Sequence, residues 1–250
     1  MVTNDAILII STAGRHLLYR IPTGDKLLDF YIKEAEAGSS YDCPLSAVPG
    51  QKIMTELVFE KDISQQALII LNPIHNNYKK VSLDPGFLML HAPCVIKENE
   101  ILLWMDAICM DEFSQDSPQL HRMISIEREG DAFRKKLLMQ TETATGSWAY
   151  YFDGQCIVTD EIVYHNLKTG KQIDYGPLLQ EVQGYLVRVR FLDTQKRFMA
   201  CVYCDQIVII DRQKNRIVWT YTGKYLSDIL PLSKKKLLIG SWNGLYLMEI

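Results

Sequence analysis

QIVIIDRQKNRIVWTYTG, Gln206 to Gly223, reads as one β-hairpin: an apolar run, a polar turn over Asp211 to Asn215, and a second strand that reaches Trp219 and Tyr221. Such a corner needs a residue that tolerates positive φ, which Asn and Gly do at little cost. EIVYHNLKTGKQIDY (Glu161 to Tyr175) fits the same template, with Asn166 in the place of Asp211 and Gly170 in the place of Asn215. So does HLLYRIPTGDKLLDFY (His16 to Tyr31), with its turn at Gly24. Two weaker copies are NNYKKVSLDPGFLML, with its turn at Gly86, and HRMISIEREGDAFRKKLLM, with its turn at Gly130.

The turns at 24, 86, 130, 170 and 215 are 62, 44, 40 and 45 residues apart. Three of these intervals match the roughly 40–45 residues of a four-stranded propeller blade. The long interval has room for an insertion, Lys33 to Gln51, rich in Gly, Ser, Pro and charge and without strand alternation. The fifth blade reads as four strands: Tyr185 to Phe191, Arg197 to Tyr203, Ile207 to Ile210 and Arg216 to Tyr221. Three more strands follow at Tyr225 to Leu232, Lys236 to Ser241 and Leu245 to Ile250, and three open the chain at Ala6 to Ser11, Leu17 to Ile21 and Lys26 to Tyr31. The expectation is an all-β chain: a single β-propeller domain over residues 1–250, of about six blades with five or seven left open, and incomplete blades where the termini meet.

A chain of 250 residues, 48% hydrophobic and 23% charged, can bury a large core. A net charge of −3 argues against nucleic-acid binding, which needs a basic surface to neutralise phosphates. No apolar run approaches the ~18 residues of a membrane span, and the opening MVTNDAILIISTAG carries Asp5 but no Lys or Arg, unlike a signal peptide. A cytoplasmic location is expected. Six scattered cysteines suit buried thiols in a reducing compartment. Cys201 and Cys204 form a C-x-x-C, but on a strand residues three apart point to opposite faces and do not share an ion.

In an antiparallel meander, connections after the second and fourth strands of each blade emerge on one side. That side collects Lys33 to Gln51, Ile108 to Gln119, Asn72 to Asn76, Thr141 to Gly146 and Gly176 to Gly184, the last suiting a short helix with Pro177 at its first position. The opposite side has tight turns and a modest loop at Lys61 to Gln65. Long loops on a rigid scaffold are the usual place for function. Its charges are mostly acidic, and with neighbouring apolar groups they give a candidate partner-binding set: Glu34, Glu36, Tyr41, Asp42, Met110, Asp111, Glu112, Phe113, Asp116, Leu178, Leu179 and Glu181. The other side is basic through Lys168, Lys171, Lys196, Arg197, Arg212, Lys214, Arg216 and Lys234 to Lys236. An acidic face attracts a basic partner.

The repeat of hydrophobic strand, Asp or Asn, three residues, Gly or Asn, and hydrophobic strand, as in VIIDRQKNRIVW and VYHNLKTGKQID, resembles that of quinoprotein-like propellers. The resemblance implies the fold and many scaffold functions. It does not imply the redox cofactor, because no adjacent Cys-Cys pair is present.

No cofactor or metal is expected. The five histidines (16, 75, 91, 121 and 165) have no ligand spacing, and Asp106, Asp111, Glu112 and Asp116 lack the order of a calcium loop. Neither Ser11 nor Ser241 sits in a nucleophile elbow. The preferred expectation is a non-catalytic, protein-binding propeller, such as an inhibitor or immunity-type protein that occludes a basic toxin or enzyme. The alternatives are a hydrolase or lyase acting on a carbohydrate or other small substrate, and a subunit of a larger assembly.

Overall fold

The structure, a computed structural model, describes residues 6–10, 15–20, 26–31, 46–47, 54–59, 66–72, 77–89, 94–97, 100–107, 119–143, 148–233 and 235–249. The chain separates into two compact units, residues 1–154 and 155–250.

In the first unit, β1 (Ala6–Ile10), β2 (Arg15–Arg20) and β3 (Lys26–Tyr31) pair antiparallel in chain order. The next meander is β4 (Ser46–Ala47), β5 (Met54–Phe59), β6 (Gln66–Asn72) and β7 (Asn77–Ser82). A third sheet has β8 (Phe87–Leu88) and β9 (Cys94–Lys97) end to end along one edge of β10 (Glu100–Ala107), followed by β11 (Gln119–Glu129) and β12 (Ala132–Thr143). Strand β13 (Ala149–Phe152) closes the unit. Its core holds Leu68, Leu83, Met89, Ile101, Leu103, Met105, Ile124 and Ile126, each worth roughly 1.5–3 kcal/mol of apolar burial.

The second unit begins with β14 (Cys156–Thr159), β15 (Val163–Asn166) and β16 (Gln172–Asp174), paired in that order. A 3-10 turn at Gly176–Leu179 follows, with Pro177 in its first turn, where a missing amide costs nothing. Then come β17 (Leu186–Phe191), β18 (Phe198–Tyr203), β19 (Gln206–Asp211) and β20 (Arg216–Thr222), a complete four-stranded meander at the positions expected of the fifth blade. The last three strands are β21 (Leu226–Ser233), β22 (Lys236–Ser241) and β23 (Gly244–Glu249). Ile207 and Ile209 of β19 pack with Ala200, Val202, Leu226, Ile229, Leu237 and Ile239 in the core of this unit.

The corner chemistry explains the repeat. Asp211 Oδ1 accepts the amides of Gln213 (3.1 Å) and Lys214 (3.3 Å), and Asn166 Oδ1 accepts those of Lys168 (3.1 Å) and Thr169 (2.9 Å). Each side chain thus mimics a backbone turn. The chain then swings into the next strand through a residue with positive φ, 69° at Gly170 and 47° at Asn215.

Three sequence expectations fail in the first unit. Gly86 has φ 77° but does not close a hairpin: it lies between β7, which pairs with β6, and β8, which pairs with β10, so it joins two sheets. The polar strand β7 is an outer one, and after it the chain turns inward to bury Phe87 and Met89. In consequence residues 73–76 join the third and fourth strands of their sheet and residues 60–65 the second and third, which exchanges the sides expected for these two connections. The span Lys33 to Gln51 also contains β4. The turn at Gly24, residues 73–76 and the remainder of that span lie outside the described residues. So do residues 108–118, between β10 and β11.

Candidate functional site

In the second unit the connections after second and fourth strands are tied together by backbone hydrogen bonds. The Cys204 amide donates to the Tyr185 carbonyl (3.1 Å), that of Leu226 to Cys204 (2.8 Å), that of Gly223 to Asp205 (3.0 Å), and that of Trp242 to Tyr225 (3.0 Å). Tyr185 and Tyr225 stand at equivalent places, each one residue before the first strand of its sheet. Both are exposed, at 64% and 52%, and Trp242 at 67% is the most exposed large apolar residue among those described. The rings of Tyr225 and Trp242 stack at 5.7 Å with 10° between their planes. Tyr225 holds φ at 55°, a conformation costly for a bulky residue, so the pair is held out from the sheet at some expense. Acidic Glu181 and Asp205 and basic Lys224 are exposed on the same connections.

Of the candidate residues from the sequence, Leu178 is half-buried, Leu179 is buried and Glu181 is exposed. Leu179 therefore plugs the interior and offers no surface. Glu34, Glu36, Tyr41, Asp42, Met110, Asp111, Glu112, Phe113 and Asp116 lie outside the described residues. Sequence reading missed Tyr185, Tyr225 and Trp242. A signal was present, since Tyr-Leu recurs at 185–186 and 225–226, one repeat apart.

Asp106, weighed above with the loop acids, and two arginines of the expected basic side are structural. Asp106 is fully buried: its Oδ1 lies 2.6 Å from His121 Nδ1 and accepts from Trp104 Nε1 (2.9 Å), while Oδ2 accepts from the Ala149 amide (2.8 Å). Its oxygens are committed inside the sheet. On the basic side, Arg212 sits 3.8 Å over the Tyr164 ring and 5.2 Å from that of Phe191, and donates to the Tyr175 hydroxyl (3.1 Å) and the Lys196 carbonyl (2.6 Å). Arg197 holds buried Asp211 at 2.6 Å. These two arginines are pins rather than free surface charge.

Cys201 is buried on β18, and burial pushes its thiol up to about 12; Cys204 follows the strand and directs its Sγ to Asp205. Among the described residues no group of His, Cys, Asp or Glu is placed to hold a metal ion, and no helix is long and apolar enough to cross a membrane.

No family model matches the chain, and no curated protein matches it in sequence. Solved structures do match. Hsv2 of Kluyveromyces lactis is similar over 100% of this chain and 71% of its own, with a TM-score of 0.53 and 12% identity. BamB from Moraxella catarrhalis is similar over 99% of this chain and 82% of its own, with a TM-score of 0.53 and 10% identity. Hsv2 is a β-propeller and BamB a propeller of PQQ-like repeats. With nearly every described residue in antiparallel sheets or their connections, the chain has the β-propeller fold.

Proposed function

We propose that this propeller is a non-catalytic protein-binding module, and that its partner docks on the side carrying the connections after second and fourth strands. The observation that carries the reading is the exposed Tyr225–Trp242 stack, with exposed Tyr185 at the equivalent place in the preceding sheet. Tyr and Trp are the residues that most often anchor protein interfaces, because they bury a large rigid surface at small entropic cost. A stack built around a strained Tyr225 backbone is not needed for the core, which lies elsewhere.

In its narrower form the proposal is a cytoplasmic inhibitor or immunity-type protein that occludes a basic toxin or enzyme. Its support is the acidic composition of the long connections, with Asp111, Glu112 and Asp116 in one of them, and the overall charge of −3.

The test is capture of partners from the source lysate by the wild-type chain, by Tyr225→Gly and Trp242→Ala, and by a chain with Asp111, Glu112 and Asp116 changed to Ser. Tyr225→Gly suits the local φ and so leaves the fold intact. A captured protein should lose at least about ten-fold in affinity with either aromatic variant, the cost of one hot-spot residue. Unchanged capture by both aromatic variants removes this face. Unchanged capture by the acid-to-Ser chain removes the basic partner but leaves the protein-binding module.

A further inference from the structure

The connections after first and third strands of the second unit carry exposed charge of one sign. Lys168 and Lys171 flank the β15–β16 corner, Lys214 and Arg216 the β19–β20 corner, and Lys235 sits in the β21–β22 turn, all five exposed. None of the five takes part in an ion pair among the described residues. The carboxylates of this side are engaged: Asp193 accepts the amides of Arg197 (3.1 Å) and Phe198 (2.7 Å), Asp211 holds Arg197 at 2.6 Å, and Glu249 pairs with Lys236 at 3.4 Å. Five unpaired cations thus gather on one side of a chain whose net charge is −3. Their backbone is fixed before any ligand arrives. In both corners the side-chain oxygen of Asn166 or Asp211 accepts two turn amides, and a cation follows directly on the positive-φ residue, Lys171 after Gly170 and Arg216 after Asn215. Lys235 donates its amide to Ser233 Oγ (3.2 Å). The two corners are neighbours. Lys196 Nζ lies 3.4 Å from Cys156 Sγ at the start of β14, and Arg212, the first residue of one corner, lies on the ring of Tyr164 beside the other.

We propose that this side takes an acidic segment of a partner protein, laid across the two corners with its carboxylates on Lys171 and Arg216. Charge complementarity makes the ligand an anion. The residues between the cations decide its kind. Thr169, Gln213 and Asn215 are exposed on the same turns and offer hydrogen bonds to a peptide backbone. No aromatic side chain is exposed on these turns to stack a nucleic-acid base, and exposed Tyr185, Tyr225 and Trp242 belong to the opposite side. The exposed residues of the turns are polar throughout, without the apolar face that enters a lipid surface. An acidic peptide needs neither, and clustered cations on a rigid scaffold are a recurring way to recognise one. This surface lies opposite the Tyr225–Trp242 face of the same unit, and either reading can fail without the other.

The probe is a blocked synthetic peptide of alternating Glu and Ser, titrated into the whole chain at low salt while backbone amide shifts are followed by NMR. Shifts should gather at residues 166–172, 211–217 and 233–236. Changing Lys168, Lys171, Lys214 and Arg216 together to Gln, all exposed positions whose loss keeps the fold, should weaken binding at least about five-fold, since each exposed charge pair is worth roughly 1.5- to 5-fold. The same change at Lys79 and Lys224, exposed cations away from these corners, should leave affinity as it was. Absence of shifts, shifts elsewhere, or equal losses from the two sets of changes overturn the proposal. Tighter binding of an oligothymidylate, or of vesicles containing phosphatidylserine, that is lost in the four-residue variant also overturns it, and makes the ligand a nucleic acid or a membrane. Corner shifts that grow with protein concentration in the absence of peptide overturn it too, and give the site to a second copy of the chain.

Discussion

Asp211 shows how much one side chain can carry at a corner. The hydrogen bond from Arg197 holds its carboxyl down at about 2, with backbone amides of Lys214 and Gln213 adding to the effect against the opposing influence of burial. Its folded pKa is below the ordinary carboxylate value of about 3.9, so its contribution to stability is complete above about pH 4 and is lost as pH falls through 2. Urea midpoints measured from pH 5 to pH 2 should fall less steeply for Asp211→Asn than for the wild type. The positive-φ corners make a second, contrasting pair. Gly170→Ala meets no atom within 4 Å and should lose about 1 kcal/mol through backbone conformation alone, whereas Asn215→Gly should be neutral within a few tenths of a kcal/mol. The C-x-x-C pair is equally a matter of single residues. A thiol reagent at neutral pH should modify Cys204 and leave Cys201 untouched in the native protein, because Cys201 is buried and held as the thiol.

Between strands, polar groups act as fasteners where apolar packing alone would not choose one register. Asp106 on β10 gathers His121 from β11, its own strand's Trp104 and the amide that opens β13. Asp106→Ala removes an acceptor shared by three groups in a dry interior and should cost about 3 kcal/mol or more by chemical denaturation. Asp84→Ala, in the connection between β7 and β8, gives a comparison against the same sheet. Its partners Arg122 and Lys135 are solvent-accessible, and its removal should cost under about 1 kcal/mol. Arg212 plays the corresponding part in the second unit, reaching from the β19–β20 turn onto the rings of Tyr164 and Phe191, so a lysine there keeps the charge but loses the flat stacking surface.

For the molecule as a whole, the proposed docking of a basic partner on an acidic face should show in its rate. The association rate constant is expected to fall several-fold between 50 mM and 500 mM salt while dissociation changes little, which stopped-flow mixing would measure. A rate indifferent to salt would remove charge from the account. Read as one domain, the chain is expected to unfold in a single transition followed alike by fluorescence and by circular dichroism; two separated transitions would make the units at 1–154 and 155–250 independent folding bodies.

Strand positions from Leu186 to Glu249, the antiparallel meander and the Asp/Asn and Gly/Asn corners followed from the amino-acid sequence itself, because alternation with period two and the need for positive φ are local properties. Tertiary structure alone decided what pairing across distance decides. Whether Gly86 closes a hairpin or links two sheets depends on the partners of β7 and β8, not on the residues of the turn. Whether Asp106 or Arg212 is a surface charge or an internal pin depends on side chains that neighbouring strands bring to it. The exposed stack of Tyr225 on Trp242 forms because strand order sets two connections side by side, and sequence spacing does not contain that adjacency.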